Sequence, residues 1–225
     1  EGLDRSLFDP GIAVLKRGGA LIEEIERKGI PLLELPFTVP AAPKLSLLSR
    51  CREAARIIRP HGFELWHSYH YSDDYTEPMI AQMAGARGWI YTKKNMSWTG
   101  RAWKVRTMLA SRIIARNTRM MRDFFEQPWF RSKTLLIPAG VDVSNYSPEI
   151  APLGMRAQLG IPEDAFAVAV VAHMVRVKGH PTLIRAASSL PAVHLLFAGA
   201  LTDEAYVAEL RALAAGMYVH LQAVL

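Results

Sequence analysis

The chain has 225 residues, half of them hydrophobic and 21% charged, with a net charge of +6 at pH 7. That is the balance of a folded protein with a sizeable core, arranged as one large domain or two small ones. No apolar run reaches the length of a membrane-spanning helix. The one cysteine, Cys51, excludes an internal disulfide framework and fits a reducing compartment.

In chain order, "IPLLELPF" (30–37) reads as a strand. Over 43–59, Leu47, Cys51, Ala54 and Ile58 recur at helical spacing, and Pro60 and Gly62 end that helix. Strand "FELWH" (63–67), a helix over 77–86, strand "WIYTK" (89–93) and a helix over 101–110 follow. Next come strand "RIIAR" (112–116), a helix over 118–126 and strand "TLLIP" (134–138). The segment "AGVDVSNYSPEIAP" (139–152) reads as a linker. A second alternation follows it: a short helix at 155–159, the apolar strand "FAVAVVA" (166–172) and a helix over 179–190 with Leu183, Ile184, Ala187 and Leu190 on one face. It ends with strand "VHLLFAG" (193–199), a helix over 203–215 and the start of a strand at "YVHLQ". The longest apolar run, Ala165 to Val175, is expected to be a buried strand.

Apolar strands joined by single helices predict an α/β fold with parallel sheets. Two such series about a linker predict two doubly wound Rossmann-like domains, 1–147 and 148–225. In that architecture ligands sit beyond the carboxyl ends of the strands. His67, Lys178, Gly179 and Gly199 all lie there. The opening Glu1 and the closing "MYVHLQAVL" read as cut ends, so both domains are expected to be incomplete.

Charge is unevenly spread. From Pro78 to Arg122 there is no Asp or Glu, but there are Arg87, Lys93, Lys94, Arg101, Lys104, Arg106, Arg112, Arg116, Arg119 and Arg122, with Trp98 and Trp103 among them. Such a window is a solvated basic face, or a surface for anionic lipid head groups or a phosphorylated acceptor. Nucleic acid ranks last, because no motif of a nucleic-acid-binding fold accompanies the charge.

Lys178-Gly179-His180-Pro181 stands where a strand gives way to a helix. Pro181 suits a first turn, Gly179 admits a ligand close to the backbone, and the helix start adds N–H groups and a partial positive charge. With Lys178 the segment is a candidate phosphate site; otherwise it is a surface lysine before an ordinary helix. The other candidate, "WHSYHYSDD" (66–74), brings His67 and His70 to a strand end. His-x-x-His has no third metal ligand at suitable spacing, and no Asp-x-Asp occurs, so no metal is expected. Asp73 and Asp74 read as helix N-cap and first-turn acid.

Taken together, Pro138, Gly140, Val141, Asp142, Tyr146 and Pro148, then Lys178-Gly179, then Ala198-Gly199 resemble the core of glycosyltransferase family 4. Those are retaining enzymes of the two-Rossmann GT-B architecture. The resemblance implies that Lys178 binds the diphosphate of a UDP- or GDP-sugar, assisted by Gly179. Where the family usually has an arginine, five residues before the lysine, this chain has His173; Arg176 is the alternative partner. His67 matches the first of a His-x-His pair and would stand by the transferred sugar, with His70, Gly140 and Gly199 lining the sugar and acceptor cleft. The implied reaction moves a hexosyl group to a hydroxyl acceptor, lipid-linked acceptors included, in cell-surface polysaccharide or glycolipid synthesis. The expected location is cytoplasmic, with peripheral contact at the inner membrane face through 87–122. The family's Glu-x7-Glu motif would lie beyond residue 225, so the chain alone is expected to be inactive. A nucleotide-sugar epimerase of the same architecture and a non-catalytic binding fragment are the alternatives.

Overall fold

The structure, a computed structural model, describes residues 2–19, 21–97, 99–147, 149, 154–190 and 192–223. Trp98 and Pro148 lie outside them. The chain forms two compact units, Glu1–Val141 and Asp142–Leu225.

In the first unit, β1 (Ile12–Val14) pairs in parallel with β2 (Leu32–Glu34), and α1 (Ile22–Arg27) connects them. After α2 (Leu47–Ile58), a four-stranded parallel sheet runs in sequential order through β3 (Leu65–Ser68), β4 (Gly88–Lys93), β5 (Arg112–Ala115) and β6 (Thr134–Leu136). The connections are α3 (Thr76–Ala84), α4 (Arg101–Leu109), and α5 (Thr118–Phe125) followed by α6 (Pro128–Arg131). The one expected strand over 30–37 is only three residues long. Cys51 packs fully buried on the inner face of α2 beside Ala54, Ala55 and Ile58.

The second unit is a three-stranded parallel sheet in the order β7 (Ala167–Val171), β8 (His194–Gly199), β9 (Tyr218–Ala223). Short α7 (Met155–Gln158) precedes it, and α8 (His180–Ala187) and α9 (Glu204–Leu213) connect its strands. Met174, Ile184, Leu195, Phe197, Tyr206 and Leu210 form its core. Two expectations are corrected. β7 is not a buried strand: it is an edge of its sheet, Val168 and Val170 lean on the core, and Val171 is 84% exposed. Helix α8 stops at Ala187, so Leu190 falls outside it and is exposed.

One buried polar network holds the strand-end loop of unit 1. Arg106 on α4 and Glu77 on α3 form an ion pair at 2.8 Å with both side chains 1% exposed. Ser68 at the end of β3 donates to Glu77 Oε2 (2.8 Å), and the Trp66 indole donates to Oε1 (3.1 Å). Arg106 also donates to Ser68 Oγ (2.9 Å) and to the Asp74 carbonyl, and its guanidinium carbon lies 4.7 Å from the centroid of the Trp89 ring. Asp74 is therefore fixed twice, because its carboxylate also accepts the Thr76 N–H (2.9 Å) at the start of α3. The expected N-cap and first-turn acid, Asp73 and Asp74, both precede the helix: Tyr75 holds the cap position, and the first-turn acid is Glu77, turned inward onto a cation.

Removing one partner of a buried pair strands the other charge. Glu77→Gln is expected to destabilise unit 1 by about 3–5 kcal/mol. Glu77→Leu combined with Arg106→Leu should cost less than either change alone. Urea unfolding of Glu77→Gln, the two single leucine variants and the double variant checks the order.

Candidate functional site

Each unit offers a cluster at the carboxyl ends of its strands. In unit 2, β7 leads into residues 172–179, which lie along the loop after β8: Ala172 N–H bonds the Ala198 carbonyl (2.9 Å) and Met174 N–H the Ala200 carbonyl (3.1 Å). This approach needs Gly199, since a Cβ there would sit 2.0 Å from the Ala172 carbonyl oxygen. Gly140 meets no such demand; a Cβ on it would face open space.

Lys178 closes a 3-10 turn (Arg176–Lys178), and Gly179, with φ of +75°, turns the chain through the left-handed region into α8. Lys178 is exposed and has no ion-pair partner among the described residues. The helix start gives fewer donors than its position promises. Pro181 has none, and the Thr182 and Leu183 N–H groups both turn to the Gly179 carbonyl, which leaves His180 to offer its own. The His180 ring is buried against Phe197 and Tyr206. Burial, helped by the charge of Lys178, lowers its pKa and keeps it neutral.

The two candidate assistants of Lys178 are both engaged. His173 Nε2 is 2.7 Å from Thr202 Oγ1, tying the two strand-end loops together. Arg176 makes a bidentate pair with Glu209 on α9 (2.6 and 3.1 Å) and lies over the Tyr206 ring, its guanidinium carbon 4.9 Å from the centroid. To reach an anion beside Lys178, Arg176 would have to leave Glu209.

In unit 1, His67 is the next-to-last residue of β3, with Nε2 3.0 Å from Thr92 Oγ1 on β4 and its ring 4.3 Å from that of Tyr69. Desolvation of the ring lowers its pKa, although the residue as a whole is exposed. The ammonium of Lys94 lies 5.3 Å from the centroid of the Tyr69 ring. His70 borders an open hollow of about 500 Å³ lined by residues 38–41, 72–75 and Ala102. Its Nδ1 is buried without a hydrogen-bond partner, and its ring edge meets Phe37. Thr76 fixes the far wall through the Val39 backbone, donating to the carbonyl (3.2 Å) and accepting from the N–H (3.1 Å). Asp73 faces this cavity.

Sequence reasoning missed Lys93. It is 2% exposed, donates to the Ser97 carbonyl (2.7 Å), and its Nζ lies 4.1 Å from the centroid of the Phe124 ring. Desolvation lowers its pKa to about 8. The available signal was a lysine closing an otherwise uncharged strand, "WIYTK", where the apolar pattern already demanded burial. Among the described residues, no three His, Cys, Asp or Glu side chains are grouped to hold a metal.

No protein-family model matches the sequence, and no curated protein matches it. Solved structures do match. A glycosyltransferase from Rickettsia africae ESF-5 superposes with a TM-score of 0.77 at 16% identity, over 95% of this chain and 59% of that one. HepE of Anabaena, solved in complex with UDP-glucose, gives 0.72 at 20% identity over 95% and 60%. Sucrose-phosphate synthase from Thermosynechococcus elongatus gives 0.58 at 19% over 88% and 56%. The chain thus spans somewhat under two thirds of the length of these proteins, and what it shares with them is the fold: Rossmann-like α/β units of the GT-B type.

Two outcomes follow from this geometry. Gly199→Ala should destabilise unit 2 by about 1–3 kcal/mol or more through overpacking, whereas Gly140→Ala should stay within about 0.5 kcal/mol, as exposed substitutions do; thermal unfolding compares them. Lys93, whose pKa falls from 10.5 to about 8 on folding, binds fewer protons in the folded than in the unfolded state between those values. It therefore makes stability rise with pH across that window. The rise should be smaller in Lys93→Met when both proteins are unfolded in urea at pH 8 and pH 10.

Proposed function

We propose that the chain is the nucleotide-sugar-handling part of a retaining glycosyltransferase, which moves a hexosyl group from a UDP- or GDP-sugar to a hydroxyl acceptor. The observation that carries this reading is the Lys178-Gly179 turn: an exposed ammonium, then a left-handed glycine, opening a helix just past a strand end in a GT-B-type fold. Support comes from the likeness in fold to a glycosyltransferase and to HepE, the latter solved with UDP-glucose.

In this reading Lys178 meets the diphosphate. As the glycosidic bond breaks, negative charge grows on the leaving oxygen, and a cation already fixed there stabilises the transition state more than the ground state. Gly179 lets the diphosphate reach the backbone, and the His180 N–H adds a donor. Arg176 joins by exchanging the Glu209 carboxylate for phosphate oxygens, since an arginine fork fits either partner. His173 holds the loop through Thr202 and adds a weaker, pH-dependent contact. The reaction needs no metal, because protein cations carry the charge. In unit 1, His67, kept neutral by desolvation, hydrogen-bonds the sugar or the acceptor. His70 and the cavity it borders receive the acceptor, a precursor of a cell-surface polysaccharide or glycolipid handled on the cytoplasmic side.

Titration calorimetry with UDP and GDP tests the donor site. One of the two is expected to bind, and Lys178→Ala to weaken it by tenfold or more, as loss of a charged hydrogen bond of about 1.5–3 kcal/mol implies. Glu209→Gln, which frees Arg176, should tighten it. Absence of binding, or binding indifferent to Lys178, would overturn the reading. Donor turnover without any acceptor would point instead to an epimerase.

A further inference from the structure

Another face of unit 1 carries side chains that no step above uses. Along α4, Arg101, Lys104, Val105 and Met108 recur at helical spacing on one side. All four are exposed, Val105 by 39% and Met108 by 58%, while Trp103, Arg106 and Thr107 fill the buried side. At the end of this stripe Lys133 donates to the carbonyls of Met108 (2.8 Å) and Ala110 (3.0 Å). Its ammonium also lies 5.9 Å from the centroid of the Trp129 ring, and Trp129 on α6 is 68% exposed. One cation therefore ties the backbone at the end of α4 to the Trp129 ring, which brings the α4 stripe close to Trp129.

Little opposes the positive charge here. Of the ten cations between Pro78 and Arg122, Lys93 and Arg106 are buried and Arg87 is paired with Glu64 (3.0 Å), and that stretch itself has no carboxylate. The next acid along the chain, Asp123, is held by Arg119 (3.2 Å) and Arg122 (2.9 Å), and those contacts lower its pKa. Single exposed apolar residues are ordinary. A tryptophan, a methionine and a valine interleaved with lysine and arginine combine the two forces that hold a protein at a bilayer surface, apolar insertion and attraction to anionic head groups.

We propose that this face of α4 and α6 docks on an anionic lipid bilayer, with Val105, Met108 and Trp129 entering the head-group layer and Arg101 and Lys104 meeting lipid phosphates. Among the described residues no helix is long and apolar enough to cross a membrane, so this face makes its contact at the surface. The inference rests on unit 1 alone and stands whether or not the chain transfers a sugar.

Co-sedimentation of the whole chain tests it, with vesicles of phosphatidylcholine alone and of phosphatidylcholine mixed in equal parts with phosphatidylglycerol. The chain is expected to sediment with the anionic vesicles, not the neutral ones, and to be released by salt. Lys104→Glu should weaken binding at least about fivefold, given the usual attraction of one cation to an anionic leaflet. Met108→Ser with Trp129→Ser should weaken it by about tenfold or more. These positions are exposed, so the circular dichroism and thermal unfolding of the variants should match the parent. Equal binding to neutral vesicles, no binding to either, or variants that bind like the parent would overturn the proposal. So would a single-stranded RNA that binds more tightly than the vesicles and displaces them, which would make nucleic acid the partner.

Discussion

Burying a guanidinium costs several kcal/mol unless its charge is matched and its protons are used; at Arg106 unit 1 matches the charge with Glu77 and engages both terminal nitrogens, leaving the buried Nε without a partner. Its partners come from the end of β3, the first turn of α3 and the loop between them, while the arginine itself belongs to α4. Three elements are thereby locked to one planar group with a fixed fork of donors. The loop carrying His70 and Asp73 has no regular structure of its own, so its shape is set largely at its ends, by Ser68 and Asp74. Asp74 belongs both to that lock and to the lining of the cavity beside the loop.

The two strand-end clusters solve different problems. In unit 2 the cations lie outside: Lys178 and Arg176 are exposed, and Arg176 is held by a carboxylate that solvent also reaches. Such a pair is weak in water, so an arriving anion can compete for it cheaply. In unit 1 the cation at the strand end, Lys93, is inside. Burial disfavours its charge, its aromatic neighbours offset part of that, and the balance lowers its pKa to about 8. The first arrangement suits binding and release, and the second a fixed scaffold.

Most of the element order was legible, because parallel strands with apolar residues on both faces and helices with one apolar stripe leave strong periodic signals. Leu47, Cys51, Ala54 and Ile58 marked α2 in this way, and the Lys-Gly turn was found from residue types alone. β1 and α1 went unnoticed, since "IAV" is too short to show a period. The Arg106–Glu77 pair was invisible for another reason: its members lie 29 residues apart, and each reads as an ordinary exposed charge on its own helix. Composition placed all ten cations of the basic window on one surface, but packing withdrew two of them. The expectation that β7 is buried failed because apolarity does not tell a strand where in the sheet it stands.

That last point has a practical side. β7 pairs with β8 along one edge, and Val171 and neighbouring Phe166, 67% exposed, leave apolar surface in the open. An uncovered edge with this composition is a template on which another extended segment can add, in register and with main-chain hydrogen bonds. Protein concentration is thus a variable to control whenever this 225-residue chain is handled.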